Sequence, residues 1–304
     1  MDVEALPSFE SWASVSHLSA NFQARLLPNE RHSQAALRIA EGWIGGLVSA
    51  VNHTQPNIRS FFYGMNANYD KGAGVTTWPM ARRLGLAASP SYYGFENGLD
   101  KLAWSVRKQR LSIGPGVGLI PWLTPGEGGG TGGPQTADPG GAAFNELLQL
   151  FANGATGFNV FSTLGMYDMS IWLGWRDAIE LAAAHEDIIM DGAPVADGVI
   201  SDVASAGIVS AMQAADGSAI VIASSTEPMH QPTGFTIKSD KSTSSWKLCD
   251  ARTLTSASVS GDGSVTWHSD SESGSWLIFS GKTPCHSQGL ERPREAYHAG
   301  TRSV

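Results

Sequence analysis

The sequence predicts an α/β protein in two parts, a (β/α)8 TIM-type barrel region followed by an antiparallel β-sandwich. Three observations predict it. Between about residues 30 and 185, short apolar runs alternate with stretches of helical periodicity, the pattern of parallel strands joined by crossover helices. No run in that stretch is followed by a GxGxxG fingerprint; the segments after the runs are instead long and rich in Trp, Tyr, Asn, Asp and Glu, as where a barrel keeps its active site. From about Asp191 the apolar residues come in short runs divided by turns such as Asp216-Gly217, Asp262-Gly263 and Ser273-Gly274, the pattern of an antiparallel all-β region.

Each element follows in order. From about Glu30 to Val51, Ala36, Leu37, Ile39, Ala40, Trp43, Ile44 and Leu47 recur at helical spacing,. Ile58 to Met65 reads as a buried strand, and Leu86 to Tyr93 as a second that Pro90 weakens,. Leu99 to Leu111 is an amphipathic helix. Gly118 to Leu123 is a third strand. Ala142 to Ala152 is a helix stopped by Asn153-Gly154,. Gly157 to Leu164 is a fourth strand, and Ile171 to His185 a further helix. The β-region shows GIVSAMQA, SAIVIASS, GFTIKS, SWKLCDA, SVTWHS and SWLIFSG in succession. The expected division is a barrel region over 1–190, a β-sandwich over 191–282 and a loose tail over 283–304.

Composition narrows the function. The 304 residues are enough for one large domain and a small one,. A net charge of −8 argues against a nucleic-acid partner, which would want a basic face. No apolar run approaches the length of a membrane span, and the acidic MDVEALPSFESW start is not a signal peptide,. Cys249 and Cys285 permit at most one disulfide and no cysteine-based zinc site,; the eight histidines form no ligand pair at helical spacing. No GxSxG, HExxH or Walker sequence occurs, so no metal and no cofactor is expected. Asn52-His53-Thr54 is a glycosylation sequon, a triplet that also arises by chance,. The 35 glycines and 10 tryptophans suit strand-end loops and indole faces that stack on sugar rings, although most single tryptophans belong to cores.

At this point the chain resembles a known class. The Asp2-Val3-Glu4 triplet, runs ending in aromatics, a Gly-rich loop holding Glu127, FANGATGFNVFS, a last helix and HEDIIMDGAPV before the β-region together resemble the back half of a (β/α)8-barrel glycoside hydrolase with a C-terminal β-sandwich. The resemblance spans about residues 2–280 and assigns no particular family. It implies a carbohydrate substrate and, from the class alone, an extracellular or secretory location. It also implies that Gly157–Leu164 is the eighth strand and that Asp2-Val3-Glu4 closes the fourth. A full barrel takes about 250 residues, so the expectation is a chain lacking the first three strands, poorly soluble and inactive by itself.

Glycoside hydrolysis needs two carboxyl groups in one cleft. Many retaining barrel enzymes carry the acid after the fourth strand and the nucleophile after the seventh. The resemblance therefore implies Glu4 as acid/base and Glu127 as nucleophile, although Glu127 lies in a glycine run rather than on the strand. Asp2 shares the Glu4 face if the triplet is a strand. Expected sugar contacts are Tyr63, Tyr92, Tyr93, Trp122 and Tyr167 at strand ends, with Asn66 beyond Tyr63, and Glu96 and Asp168. Plainer readings stand beside these: Glu4 as a solvated residue near a chain start, Glu127 as a loop carboxylate, Glu96 as a charge favouring a helix N-terminus, Asp168 as a helix cap, and the aromatics as barrel filling. Without a competent carboxyl pair the same cleft would bind carbohydrate only.

Overall fold

The computed structural model describes residues 19–56, 58, 60–64, 72–73, 76–90, 99–114, 116–123, 139–160, 169–195, 199–201, 207–225, 233–238, 247–250, 256–258, 264–269 and 275–280. They fall into two compact units. The first takes residues 1–93, 108–123 and 157–159; the second takes 94–107, 124–156 and 160–304.

In the first unit a short helix α1 (Ala20–Gln23) precedes α2 (His32–Thr54). Phe22 packs against Ala35 and Ala36, with Leu26 and Ile39 at the margin. The corner is pinned by a two-pronged contact of the Arg38 guanidinium with Glu30, at 2.8 and 2.7 Å. Those hydrogen bonds hold the Glu30 carboxyl down at about 2,. Helix α2 buries Ala35, Ala36, Ala40 and Ile44. The apolar periodicity grouped Trp43 and Leu47 with them, but both are exposed, Trp43 by 65%. The stripe is wider than the face that is covered.

Strand β1 (Phe61–Gly64) is followed by the small antiparallel pair β2 (Gly72–Ala73) and β3 (Thr76–Thr77). Helix α3 (Trp78–Leu84) comes next and was not foreseen, because seven residues are too few for a periodic signal,. Its stop is legible afterwards: Gly85 at φ +65 lets the Leu86 N–H reach the Ala81 carbonyl at 2.9 Å, the αL closure that glycine permits. Arg83 ties α3 to α2 through both oxygens of Glu41, at 2.7 Å each.

Strand β4 (Ala87–Pro90) pairs with β1 in parallel, Phe61 opposite Ala87 and Gly64 opposite Pro90. Pro90 is tolerated because it ends the strand. Helix α4 (Leu99–Ile113) contains the boundary between the units. Within the first unit Arg110 donates to the Val117 carbonyl at 2.8 Å, and burial lowers its pKa from the usual guanidinium value. The chain then returns beside β4: Ala88 N–H donates to Gly118 O and Ile120 N–H to Ala88 O, each at 2.7 Å, a parallel bridge at Ala88 and Leu119. It continues into β5 (Trp122–Leu123). The Asn159 N–H donates to Pro121 O at 2.7 Å, so the segments 61–64, 87–90, 118–123 and 159 lie side by side in chain order.

In the second unit, α5 (Pro139–Ala152) starts with proline at its first position and ends at Asn153-Gly154, as the sequence predicts. Gly154 adopts φ +97, and Ala155 N–H reaches Leu150 O at 3.0 Å. Strand β6 (Asn159–Val160), whose Asn159 belongs to the first unit, leads to α6 (Met169–Ala183), and α7 (Glu186–Asp191) follows a break at His185. The sequence reading carried α6 to His185, two residues beyond its end at Ala183, and did not foresee α7. Helices α5 and α6 cross where two glycines meet: a Cβ on Gly174 would fall onto the Gly140 carbonyl oxygen and lie 3.2 Å from the Phe144 nitrogen.

The β-region is antiparallel throughout its described pairs. Strands β7 (Ala193–Pro194), β9 (Gly207–Gln213), β10 (Ala219–Ser225), β12 (Lys247–Asp250), β13 (Ser256–Ser258) and β15 (Ser275–Ser280) form one sheet in the order β13-β12-β15-β10-β9-β7. Strands β8 (Val199–Ser201), β11 (Thr233–Lys238) and β14 (Ser264–Ser269) form another in the order β14-β11-β8. All six short runs in the sequence became strands. Helix α5 packs on β9 and β10, and Ala219 to Ile222 are all buried, as their continuous apolar run implies. Asn153 fixes that contact, donating to Gln149 O at 2.7 Å and to the Ser210 hydroxyl at 2.9 Å.

Two expectations follow. Gly174→Ala forces the two helices apart and lowers stability by about 1–3 kcal/mol or more, read as a fall in the thermal midpoint with retained helical circular dichroism. Burial pushes the His185 imidazole below its ordinary 6.5, against a weaker opposing pull from Asp187. The unfolded chain therefore takes up that proton more readily than the folded one. Stability is complete above 6.5 and falls as pH drops below it; His185→Gln flattens that part of a stability profile measured between about pH 7 and pH 5.

Candidate functional site

Parallel neighbours leave a sheet at the same edge. The register puts Gly64 beside Pro90, and 118–123 runs parallel to β4, so the chain exits these strands on one side. The segments that follow them in sequence carry Asn66, then Tyr92, Tyr93 and Glu96, then Glu127. All of these, with Asp2, Glu4, Tyr167 and Asp168, lie outside the described residues. Tyr63 lies within β1, opposite Ser89, and its side chain is likewise outside them. Of the side chains singled out from sequence, Trp122 alone is described, and it is half-buried.

The segment 117–123 alternates. Val117, Leu119, Pro121 and Leu123 are buried, whereas Gly118, Ile120 and Trp122 are half-buried. Period two therefore separates a closed side from a partly open one, and Trp122 belongs to the open side. Parallel pairing of Ala88 with Leu119 puts the next pair, Ser89 and Ile120, on that side too. Ser89 is fully buried. Its hydroxyl donates to the Ile120 carbonyl at 2.7 Å and accepts from the Asn159 amide nitrogen at 3.2 Å. Asn159 is half-buried.

The open side thus joins an indole on β5 to a serine–asparagine pair bridging three strand segments. Sequence reasoning missed Ser89 and Asn159. The usable signal was a polar residue inside each of two apolar strands, LAASPSYY and GFNVFSTL, because a polar group placed there must find a hydrogen-bonding partner.

Among the described residues, no group of three or more His, Cys, Asp or Glu side chains comes together as a metal site would need, and no helix is long and apolar enough to cross a membrane.

No known family profile matches the chain, and no curated protein matches it in sequence. Among solved structures it is similar to an alpha-amylase from Malbranchea cinnamomea, at 12% identity and a TM-score of 0.43, covering 80% of this chain and 59% of that one. It is similar to an alpha-amylase from Geobacillus thermoleovorans at 11% and 0.46, covering 80% and 58%. A GH27 β-L-arabinopyranosidase from Geobacillus stearothermophilus gives 13% and 0.45, covering 79% and 61%. The chain spans about three-fifths of the length of these structures. With TM-scores of 0.43 to 0.46 the likeness is too slight to decide the chemistry.

Ser89→Ala removes the donor to Ile120 O and the acceptor for the Asn159 amide. It lowers stability by about 1–3 kcal/mol, measured by denaturant unfolding against the wild type.

Proposed function

We propose that the chain is a glycoside-hydrolase-like protein, a (β/α)-barrel with an appended β-sandwich that acts on an oligo- or polysaccharide, as its class does outside the cell. The observation that carries this reading is the shared exit edge of the parallel strands. Trp122 is half-exposed beside that edge, and the segments leaving it are those in which the sequence concentrates tyrosines and carboxylates. An indole face covers the apolar side of a sugar ring, and amides and carboxylates pair with its hydroxyls.

In this proposal Glu4 protonates the leaving glycosidic oxygen while Glu127 attacks the anomeric carbon. Water then releases the sugar, with Glu4 acting as base. Carboxyl groups about 5–5.5 Å apart serve this retaining course, and about 6.5–9.5 Å an inverting one. Tyr63, Tyr92, Tyr93, Tyr167, Asn66, Asp2, Glu96 and Asp168 are proposed to line the substrate.

The test is hydrolysis of a panel of p-nitrophenyl glycosides and oligosaccharides. In the full-length form of the protein the expected result is turnover of at least one, lowered by roughly a hundredfold or more in Glu127→Gln with an unchanged thermal midpoint. Turnover by that variant at the wild-type rate removes Glu127 as nucleophile. A wild type that binds an oligosaccharide without cleaving it is a carbohydrate-binding protein instead.

A further inference from the structure

The Ser89–Asn159 pair fixes an otherwise ambiguous group. An amide side chain offers a donor end and an acceptor end, and either can face a neighbour. Here the choice is forced. The Ser89 hydroxyl spends its one proton on the Ile120 carbonyl at 2.7 Å, so toward Asn159 it has only lone pairs to present. The Asn159 group 3.2 Å away must then be the NH2 end. No described residue donates to Asn159 Oδ1. The backbone is held as well, through the Asn159 N–H on Pro121 O at 2.7 Å, one residue before Trp122. A chain of aligned donors running from Asn159 through Ser89 to Ile120 also polarises the amide and strengthens its oxygen as an acceptor.

We infer that Asn159 is a ligand-contacting residue whose Oδ1 accepts a hydrogen bond from a sugar hydroxyl, with Ser89 as the positioning residue that sets the amide's orientation. This rests on the carbohydrate reading above, but on neither of its carboxylates. The ligand class follows from the group presented: a neutral, oriented acceptor beside an indole suits a neutral hydroxyl donor and gives no charge with which to hold a phosphate. If the pair served only to tie strands together, an apolar pair would do so without desolvating an amide that is only half-buried.

The experiment is titration of the full chain with maltose, cellobiose and lactose, by calorimetry and saturation-transfer NMR, alongside thermal unfolding. The wild type is expected to bind at least one. Asn159→Ala then binds it about tenfold more weakly. Asn159→Asp keeps an acceptor at Oδ1 but loses the donor to Ser89, so it retains binding within about threefold of wild type while its thermal midpoint falls. Ser89→Ala binds with intermediate affinity. Two results overturn the inference while leaving the carbohydrate reading intact: Asn159→Ala binding as the wild type does, or Asn159→Asp weakened about tenfold or more, its loss of binding following its loss of stability. The second comparison decides the matter if the alanine variant fails to fold. A wild type that binds none of the three overturns this inference, whereas inertness on the glycoside panel with binding retained removes hydrolysis and leaves the inference standing.

Discussion

A parallel strand cannot turn back on its neighbour. The chain must leave at one end, cross over through a helix and re-enter at the other. That constraint organises the first unit. Because β1, β4 and the segment around Leu119 are parallel, the chain must exit all of them at one edge. The described ends Gly64 and Pro90 lie side by side at that edge. The helices between the strands are the consequence. α3 fits between β3 and β4 with seven residues because glycine at φ +65 closes it abruptly, and α4 is held where it ends by the Arg82 guanidinium on the Ile113 carbonyl.

Backbone crowding imposes a second, more local constraint. Helices packed through ordinary side chains keep their axes 8–10 Å apart. At Gly140 and Gly174 a Cβ would strike the opposing backbone, so α5 and α6 approach more closely than any other residue allows. Helix α5 also packs on β9 and β10, and its Leu147, Leu148 and Leu150 are completely buried. Neither glycine was singled out from the sequence. Inside a helix a glycine ordinarily signals weakness, and only the partner helix reveals that the absence of a side chain is the useful property.

The alternation of strand and helix was legible because short apolar runs such as IRSFFYGM and GLIPWL stand between stretches of helical periodicity,. Helix ends were legible where the stop is chemical, as at Asn153-Gly154. The faces were less so. Trp43 has the spacing of Ile44 but not its burial, since periodicity records which residues share a stripe and not how far a neighbour extends across it. The candidate site divided along similar lines. Aromatics and carboxylates drew notice as residue types, and Trp122 lies on the partly open side of its strand. Ser89 and Asn159 are ordinary residues whose significance comes from pairing across 70 positions; each apolar run shows its polar residue but not that residue's partner.

Two polar networks of similar chemistry show how structural and exposed uses of an amide differ. Asn153 reaches Gln149 and Ser210 inside a helix–sheet interface where Gln149, Asn153 and Ser210 are all buried. A buried polar group left unpaired costs about 1–3 kcal/mol, so such a network is stable only when closed, and once closed it specifies how α5 sits on β9. The Ser89–Asn159 chain starts the same way, on a carbonyl and a fully buried hydroxyl, but ends on an amide that is only half-buried. Its inner end obeys the rule for interiors. At its outer end solvent can satisfy the acceptor, so that oxygen costs little to leave without a protein partner and remains available to a ligand that displaces the water. The difference lies in where each network stops, which is why the first holds the fold together and the second faces outward from it.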